Sequence, residues 1–354
     1  MDKQTFKKMA MVAGGNAYLS NNYKLPSSNT PLKLYNREMS KSEKTLDKSL
    51  NDLVNDPRTL AVLVYNKGHI IYEKYRKPVT ESCPIFSWSM SKTLVGLSLG
   101  YLLYERKILD LNHPAKIYSK ELEGTVYGES SIKNLLRMSS GVGRSITDGN
   151  QREHEWDHMK DGVYSTIEHI HQFPNKEFEA GKKFNYSGTD TEAICNIIDN
   201  NGGFLNIFQK YIWEPAKTEN TGYWMLEKDN RVIAQAGFSA TARDWIRIGL
   251  HTINELTNSN DIIKNYMIEA TSKQIDNTYD DDEFGFNKTL KYYGYQTWVG
   301  DFGPSPSYWF AGGGGLRLGI DPINEQIIYV GAYNCKSDYI KNIYKVFKDL
   351  QELS

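Results

Sequence analysis

Residues 90–104 read MSKTLVGLSLGYLLY, a helical stretch that is apolar nearly all round. Leu94, Val95, Leu97, Leu99, Tyr101, Leu102 and Leu103 leave it no polar face. Such a helix must run through the middle of the protein rather than over its surface. The rest of the chain therefore has to supply layers around it. A chain of 354 residues has length for one large domain or two intimate ones, with a core that needs no staples.

Those layers are legible on either side. LAVLVYNKGHIIYEKY (Leu60 to Tyr75) predicts a hairpin, two β-rich runs around the turn Asn66-Lys67-Gly68. From Tyr292 the pattern is again β: YYGYQTWV, SYWFAGGGG, LRLGID and EQIIYVGAY, separated by Gly, Pro and Asn. Helices are predicted over Glu43 to Val54, over SATARDWIRIGLHTINEL (Ser239 to Leu256, opening on a Ser/Thr cap) and over the amphipathic C-terminal stretch. That last stretch lines up Ile340, Ile343, Tyr344, Phe347 and Leu350. Strands near both ends with helices between them imply an α+β fold: an antiparallel sheet flanked by helices, with a mostly helical insertion. The expected division is an N-terminal arm over 1–45, a sheet domain from 46–113 and 233–354, and a helical domain over 114–232. The arm is polar and rich in Asn, Ser and Lys, and is expected on the surface or partly disordered.

Composition narrows the function classes. A net charge of −1 gives no pull toward nucleic acid or anionic membrane. No window approaches a transmembrane span, and Met9 to Ala13 is too short for a signal-peptide core. The chain reads as soluble and cytoplasmic, or periplasmic or secreted if a leader has been removed. Cys83, Cys195 and Cys335, odd in number and widely spaced, read as reduced thiols. The 24 Tyr and 7 Trp suit a core plus an aromatic-lined cleft.

Chemistry concentrates where the buried helix begins. FSWSMSKTL holds Ser87, Ser89 and Ser91 beside Lys92. On a helix, positions i and i+3 share a face, which aligns Ser89 with Lys92. Ser91 points about 100° away, and Ser87 lies out of helical reach. A serine hydroxyl needs an adjacent base to act as a nucleophile, and a lysine can serve when burial lowers its pKa. A polar pair at the mouth of a buried helix is costly without a task. The spacing alone is common, and Ser130 to Lys133 repeats it.

Further blocks give the pair its meaning. FSWSMSKTLVGLSLGYLLYERKI, SIKNLLRMSSGVG, AGKKFNYSGTDTEAICNII, EPAKTENTGYWML, GFSATARDWIRIGL, YYGYQTWV and WFAGGGGLRLGIDP occur in this order. In that order the chain resembles the serine β-lactamase-like hydrolases, the fold of class C β-lactamases, penicillin-binding carboxypeptidases and related esterases. Within that family it is most similar to the 6-aminohexanoate-dimer hydrolases. The resemblance runs from about Leu60 to Tyr333. It implies Ser89 as nucleophile, Lys92 as its partner and Tyr186 as the catalytic tyrosine, with no metal or cofactor. It also implies an oxyanion hole from the backbone N–H groups of Ser89 and Gly313. A phenol near an ammonium can accept the serine proton and pass it to the leaving group. A glycine-rich strand, Ala311 to Gly315, lets a substrate approach closely. Gly188, Trp156, Trp309, Gly312 and Gly314 are the candidate substrate contacts.

Two departures bear on the substrate. Tyr186-Ser187-Gly188 replaces the family's common Tyr-x-Asn, and the third motif carries no Lys or His. Lys288-Thr289-Leu290 lacks the glycine of that motif and precedes its strand. Without a cation for a substrate carboxylate, a small uncharged ester or amide fits better than a β-lactam or a D-Ala-D-Ala peptide. β-Lactamase or carboxypeptidase activity, or a non-catalytic binding role on this fold, stand as alternatives. A rival enzyme reading is HEWDH (His154 to His158), a His-Glu-x-x-His spacing that could hold zinc, with Glu168, His169 and His171 downstream. Its polar surroundings argue instead for a loop or short helix at the cleft mouth. Tyr279 to Glu283 reads as a solvated acidic loop.

Overall fold

The predicted hairpin is the hub of a nine-stranded sheet. A computed structural model describes residues 21–142, 165–172, 176–227, 229–278, 289–335 and 337–354. Its strands are β1 (Asn22–Leu25), β2 (Tyr35–Asn36), β3 (Thr59–Asn66), β4 (His69–Tyr75), β5 (Ile85–Phe86), β6 (Gly222–Met225) and β7 (Phe238–Ala240). They continue as β8 (Ile275–Asp276), β9 (Tyr292–Tyr293), β10 (Trp298–Gly300), β11 (Ser307–Ala311), β12 (Arg317–Asp321) and β13 (Gln326–Ala332). The large sheet runs β2-β4-β3-β13-β12-β11-β10-β9-β8, so strands from both ends of the chain meet at β3 and β13. Its pairs are antiparallel except β2 with β4.

Both faces of this sheet are covered, which explains why β3 is buried along its whole length and apolar from Leu60 to Tyr65. Alternate strand residues point to opposite faces. Leu63 and Tyr65 of β3, Ile327 and Tyr329 of β13, and Phe310 of β11 join a core with Leu94 and Val95 of the Met90–Tyr104 helix and Trp245 of the Ala242–Asn258 helix. Val62, Val64, Ile328, Val330 and Trp309 join the other core, under Leu50 and Leu53 of the Asp47–Asn55 helix and Ile340, Ile343 and Phe347 of the Ser337–Gln351 helix. Burying each such large apolar side chain contributes roughly 1.5–3 kcal/mol. Met90–Tyr104 is buried from Met90 through Leu102, as its all-round apolar pattern requires. The Ala242–Asn258 helix starts as expected: Thr241 caps it, its hydroxyl accepting the Asp244 N–H at 3.2 Å.

Three expectations need revision. A second sheet, β1-β6-β7-β5, lies outside the predicted strands. Its strands are only two to four residues long and come from distant parts of the chain, so no local alternation marks them. The described part of the N-terminal arm is built into the fold: β1 pairs with β6, Leu25 is buried, and the Trp213 indole donates to the Pro26 carbonyl at 2.7 Å. Third, the glycine run is not a strand. β11 ends at Ala311, and Gly313–Gly315 form a tight 3₁₀ turn in which Gly314 and Gly315 hold φ of 73° and 101°. Cys83, Cys195 and Cys335 are free thiols. Among the described residues no helix is long and apolar enough to cross a membrane.

Candidate active site

The short sheet sets the start of the buried helix. β5 pairs with β7, and the Ser87 N–H and hydroxyl both donate to the Phe238 carbonyl, at 2.9 and 2.7 Å. The chain then turns from strand to helix through Trp88, held at φ 47°. A bulky residue there is uncommon, and the fixed turn places the next residue at the helix entrance. Ser89 is the N-cap of the helix.

Ser89 and Lys92 meet as the i, i+3 spacing predicts. The Lys92 Nζ donates to Ser89 Oγ at 3.1 Å and to the Gln235 carbonyl at 2.7 Å. Lys92 is 4% exposed, whereas Ser89 is half-buried and reachable. Ser87 and Ser91 are buried braces. Their hydroxyls lie 3.1 Å apart, and Ser91 donates to the Trp88 carbonyl and accepts the Phe238 N–H. The second Ser-x-x-Lys match forms no such pair, because Lys133 reaches Glu269 at 3.6 Å.

Tyr186 approaches from the helical side. Lys92 Nζ lies 5.4 Å from its ring centroid. The flanking backbone is pinned, with Asn185 N–H donating to the Met138 carbonyl at 2.7 Å and Asn185 Nδ2 to the Val142 carbonyl at 2.7 Å. Phe184, Tyr293 and Trp298 surround the ring, with Trp298 at 5.3 Å between centroids. The Gly188–Asn200 helix begins two residues later.

The glycine run closes the site from the sheet. A Cβ on Gly312 would lie 2.4 Å from the Ser87 carbonyl oxygen, so the absent side chain lets the turn sit against the segment before Ser89. The Gly312 N–H donates to the Leu316 carbonyl, and a Cβ on Gly314 would meet the Asn334 nitrogen at 2.8 Å. Gly312 is buried and packs against protein, a correction to its expected substrate contact, whereas Gly314 is half-buried in its left-handed turn. Gly313 differs: a Cβ there would meet nothing within 4 Å. Neither the Ser89 N–H nor the Gly313 N–H donates to a group among the described residues.

Trp309 is also corrected. It is fully buried on the far face of the sheet, edge-on to Tyr344 at 4.8 Å and Phe347 at 4.9 Å. Strand alternation turns it away from the core that holds the Met90–Tyr104 helix. Trp156, the HEWDH stretch, the 279–283 acidic run and Lys288 lie outside the described residues.

Two residues were not anticipated. Glu192, one turn into the Gly188–Asn200 helix, accepts the N–H groups of Gln235 at 2.9 Å and Ala234 at 3.2 Å. Gln235 in turn presents its carbonyl to Lys92. Burial pushes the Glu192 carboxyl up to about 8, against the pull of the two N–H groups and of Lys92. A lone acid in the run EAICNII is a weak sequence signal for Glu192; for Gln235 there was none.

A family model described as Beta-lactamase matches residues 50–338. The chain belongs to the Beta-lactamase family. Its α+β architecture is the β-lactamase/transpeptidase-like fold. It is 24% identical over 210 residues to 6-aminohexanoate-dimer hydrolase of Paenarthrobacter ureafaciens, a match covering 56% of this chain. The chain spans about half the length of that curated relative, 53%. Among solved structures, a Bacillus anthracis protein provisionally assigned as a 6-aminohexanoate-dimer hydrolase superposes with a TM-score of 0.79 at 19% identity, covering 99% of this chain and 95% of its own. A penicillin binding protein from Bacillus halodurans superposes with a TM-score of 0.63 at 15% identity, covering 87% and 100%. Within this family the chain carries glycine at position 188 and no Lys or His in the 312–315 glycine turn.

Proposed function

We propose that this protein is a serine hydrolase that cleaves an uncharged ester or amide through an acyl-enzyme. The observation that carries the proposal is the Ser89–Lys92 hydrogen bond of 3.1 Å, made by a buried amine beside a reachable hydroxyl. Ser89 Oγ attacks the carbonyl carbon and gives its proton to the Lys92–Tyr186 pair. The Ser89 and Gly313 N–H groups receive the developing oxyanion. The leaving alcohol or amine takes the proton as its bond to the carbonyl carbon breaks. Water then enters, Tyr186 and Lys92 take one of its protons, the acid departs, and that proton returns to Ser89.

The run Gly312–Gly315 carries no Lys or His, and the neighbouring Arg317 is buried and donates to the Gly312 and Leu316 carbonyls, which supports neutral substrates over carboxylates. The likeness to 6-aminohexanoate-dimer hydrolase makes linear amides the first candidates. A fluorophosphonate probe tests the nucleophile: wild type is labelled, and Ser89→Ala and Lys92→Met are not. Labelling of Ser89→Ala at the wild-type rate would remove Ser89 from the mechanism. Rates on nitrophenyl esters, aminohexanoate oligomers and a chromogenic cephalosporin then rank substrates. A cephalosporin as the best of these would overturn the neutral-substrate assignment.

A further inference from the structure

The space beside Gly188 is filled by another residue. A Cβ built on Gly188 would lie 1.7 Å from Gln235 Oε1 and 2.5 Å from Gln235 Cδ. The side-chain amide of Gln235 therefore stands where a side chain at position 188 would project, two residues from Tyr186. Position 188 is where the common family pattern carries an asparagine amide, and this chain has none there. An amide is nevertheless present, brought from a segment remote in sequence.

The backbone beneath that amide is fixed on both sides. The Gln235 N–H is held by Glu192 at 2.9 Å, and the Gln235 carbonyl by Lys92 at 2.7 Å. Lys92 contacts the Ser89 hydroxyl directly, so the root of the Gln235 side chain is set relative to the nucleophile. Gln235 is half-buried, whereas Lys92 beside it is enclosed. A glutamine amide offers one acceptor oxygen and two N–H donors and carries no charge. It can pair with a neutral amide or ester group of a substrate in either sense, and it gives a carboxylate none of the attraction of a cation.

Resting on the Ser89 hydrolase reading, we propose that Gln235 is the specificity-determining residue of this site. Its side-chain amide, seated in the volume that Gly188 leaves, hydrogen-bonds a neutral amide in the acyl part of the substrate and aligns the scissile carbonyl over Ser89. Gly188 is required because any side chain there displaces this amide.

The test compares two nitrophenyl esters of equal acyl length, N-acetylglycine p-nitrophenyl ester and p-nitrophenyl pentanoate. Their kcat/KM ratio on one protein preparation cancels differences in active fraction and in Ser89 reactivity. Wild type is expected to favour the amide-bearing ester by roughly tenfold, the worth of one neutral hydrogen bond. Gln235→Ala, and Gln235→Met, which keeps the side-chain length, both bring the ratio near one. Gly188→Asn alone also lowers it, and the pair Gly188→Asn with Gln235→Gly restores it by supplying the amide from the other wall. An unchanged ratio in Gln235→Ala and Gln235→Met, or a wild-type ratio of one, overturns the assignment while leaving the hydrolase reading intact. A wild type that neither cleaves these esters nor takes a fluorophosphonate overturns the reading on which it rests.

Discussion

Lys92 Nζ donates to the Gln235 backbone carbonyl at 2.7 Å, across 143 residues of sequence. That bond joins the helix bearing Ser89 to the segment that leads into β7. Through Glu192 it extends to the helix that follows Tyr186. The amine and the hydroxyl thus share one helix, the phenol precedes another, and a buried carboxyl group braces the segment between them.

The three serines separate by experiment. Ser89→Ala should lower esterase activity by at least about 10³-fold, as removal of a nucleophile does. Ser87→Ala and Ser91→Ala should keep fluorophosphonate labelling and lose stability, each by roughly 1–3 kcal/mol for the buried partners left behind. Labelling and thermal melts on the three variants check this. Loss of labelling in Ser91→Ala at full stability would mean that the helix register assigns the wrong hydroxyl.

Glu192 holds the backbone N–H groups of Ala234 and Gln235. Glu192→Gln keeps its shape but turns donor hydrogens toward the N–H groups of Ala234 or Gln235, and should cost about tenfold in kcat on both nitrophenyl esters. Because burial sets its carboxyl at about 8, the wild-type pH–rate profile should bend there, and the bend should vanish in Glu192→Gln. A profile identical in both proteins would confine Glu192 to a structural role.

Asp190 sets a pH dependence of stability. It is fully buried, and burial pushes its carboxyl up to about 7 while Ser140 pulls it down. A carboxyl raised in the folded state holds its proton there after the unfolded chain has released it. Its contribution to stability is full below about pH 4 and is lost as pH rises through about 7. Asp190→Asn removes that titration. Urea melts at pH 5 and pH 8 should show the variant gaining on wild type by on the order of 2 kcal/mol toward high pH. A constant difference across this range would mean that Asp190 is not protonated in the fold.

Trp309 belongs to the core. Trp309→Ala should cost about 3–5 kcal/mol. Gly319→Ala should cost about 1–3 kcal/mol, because a Cβ there would lie 2.4 Å from the Trp309 ring. The folded fraction of either variant should still label at Ser89. A stable Trp309→Ala protein with altered substrate preference would return this residue to the cleft.

The sequence by itself determined what local periodicity and spacing can encode. It marked the enclosed Met90–Tyr104 helix, the β3–β4 hairpin, the Thr241 cap, the C-terminal amphipathic helix and the pairing of Lys92 with Ser89 rather than with its neighbours, because local spacing decides each of them. The tertiary structure alone decided which face of β11 carries Trp309, since alternation names two faces without saying which one meets the Met90–Tyr104 helix. It alone assembled β1, β5, β6 and β7 from short distant pieces and bent the glycine run into a turn against Ser87. Only folding could bring Gln235 into the space of Gly188: a vacancy at one position and the side chain that fills it carry no shared local signal, and their contact exists only once the segment before β7 has paired.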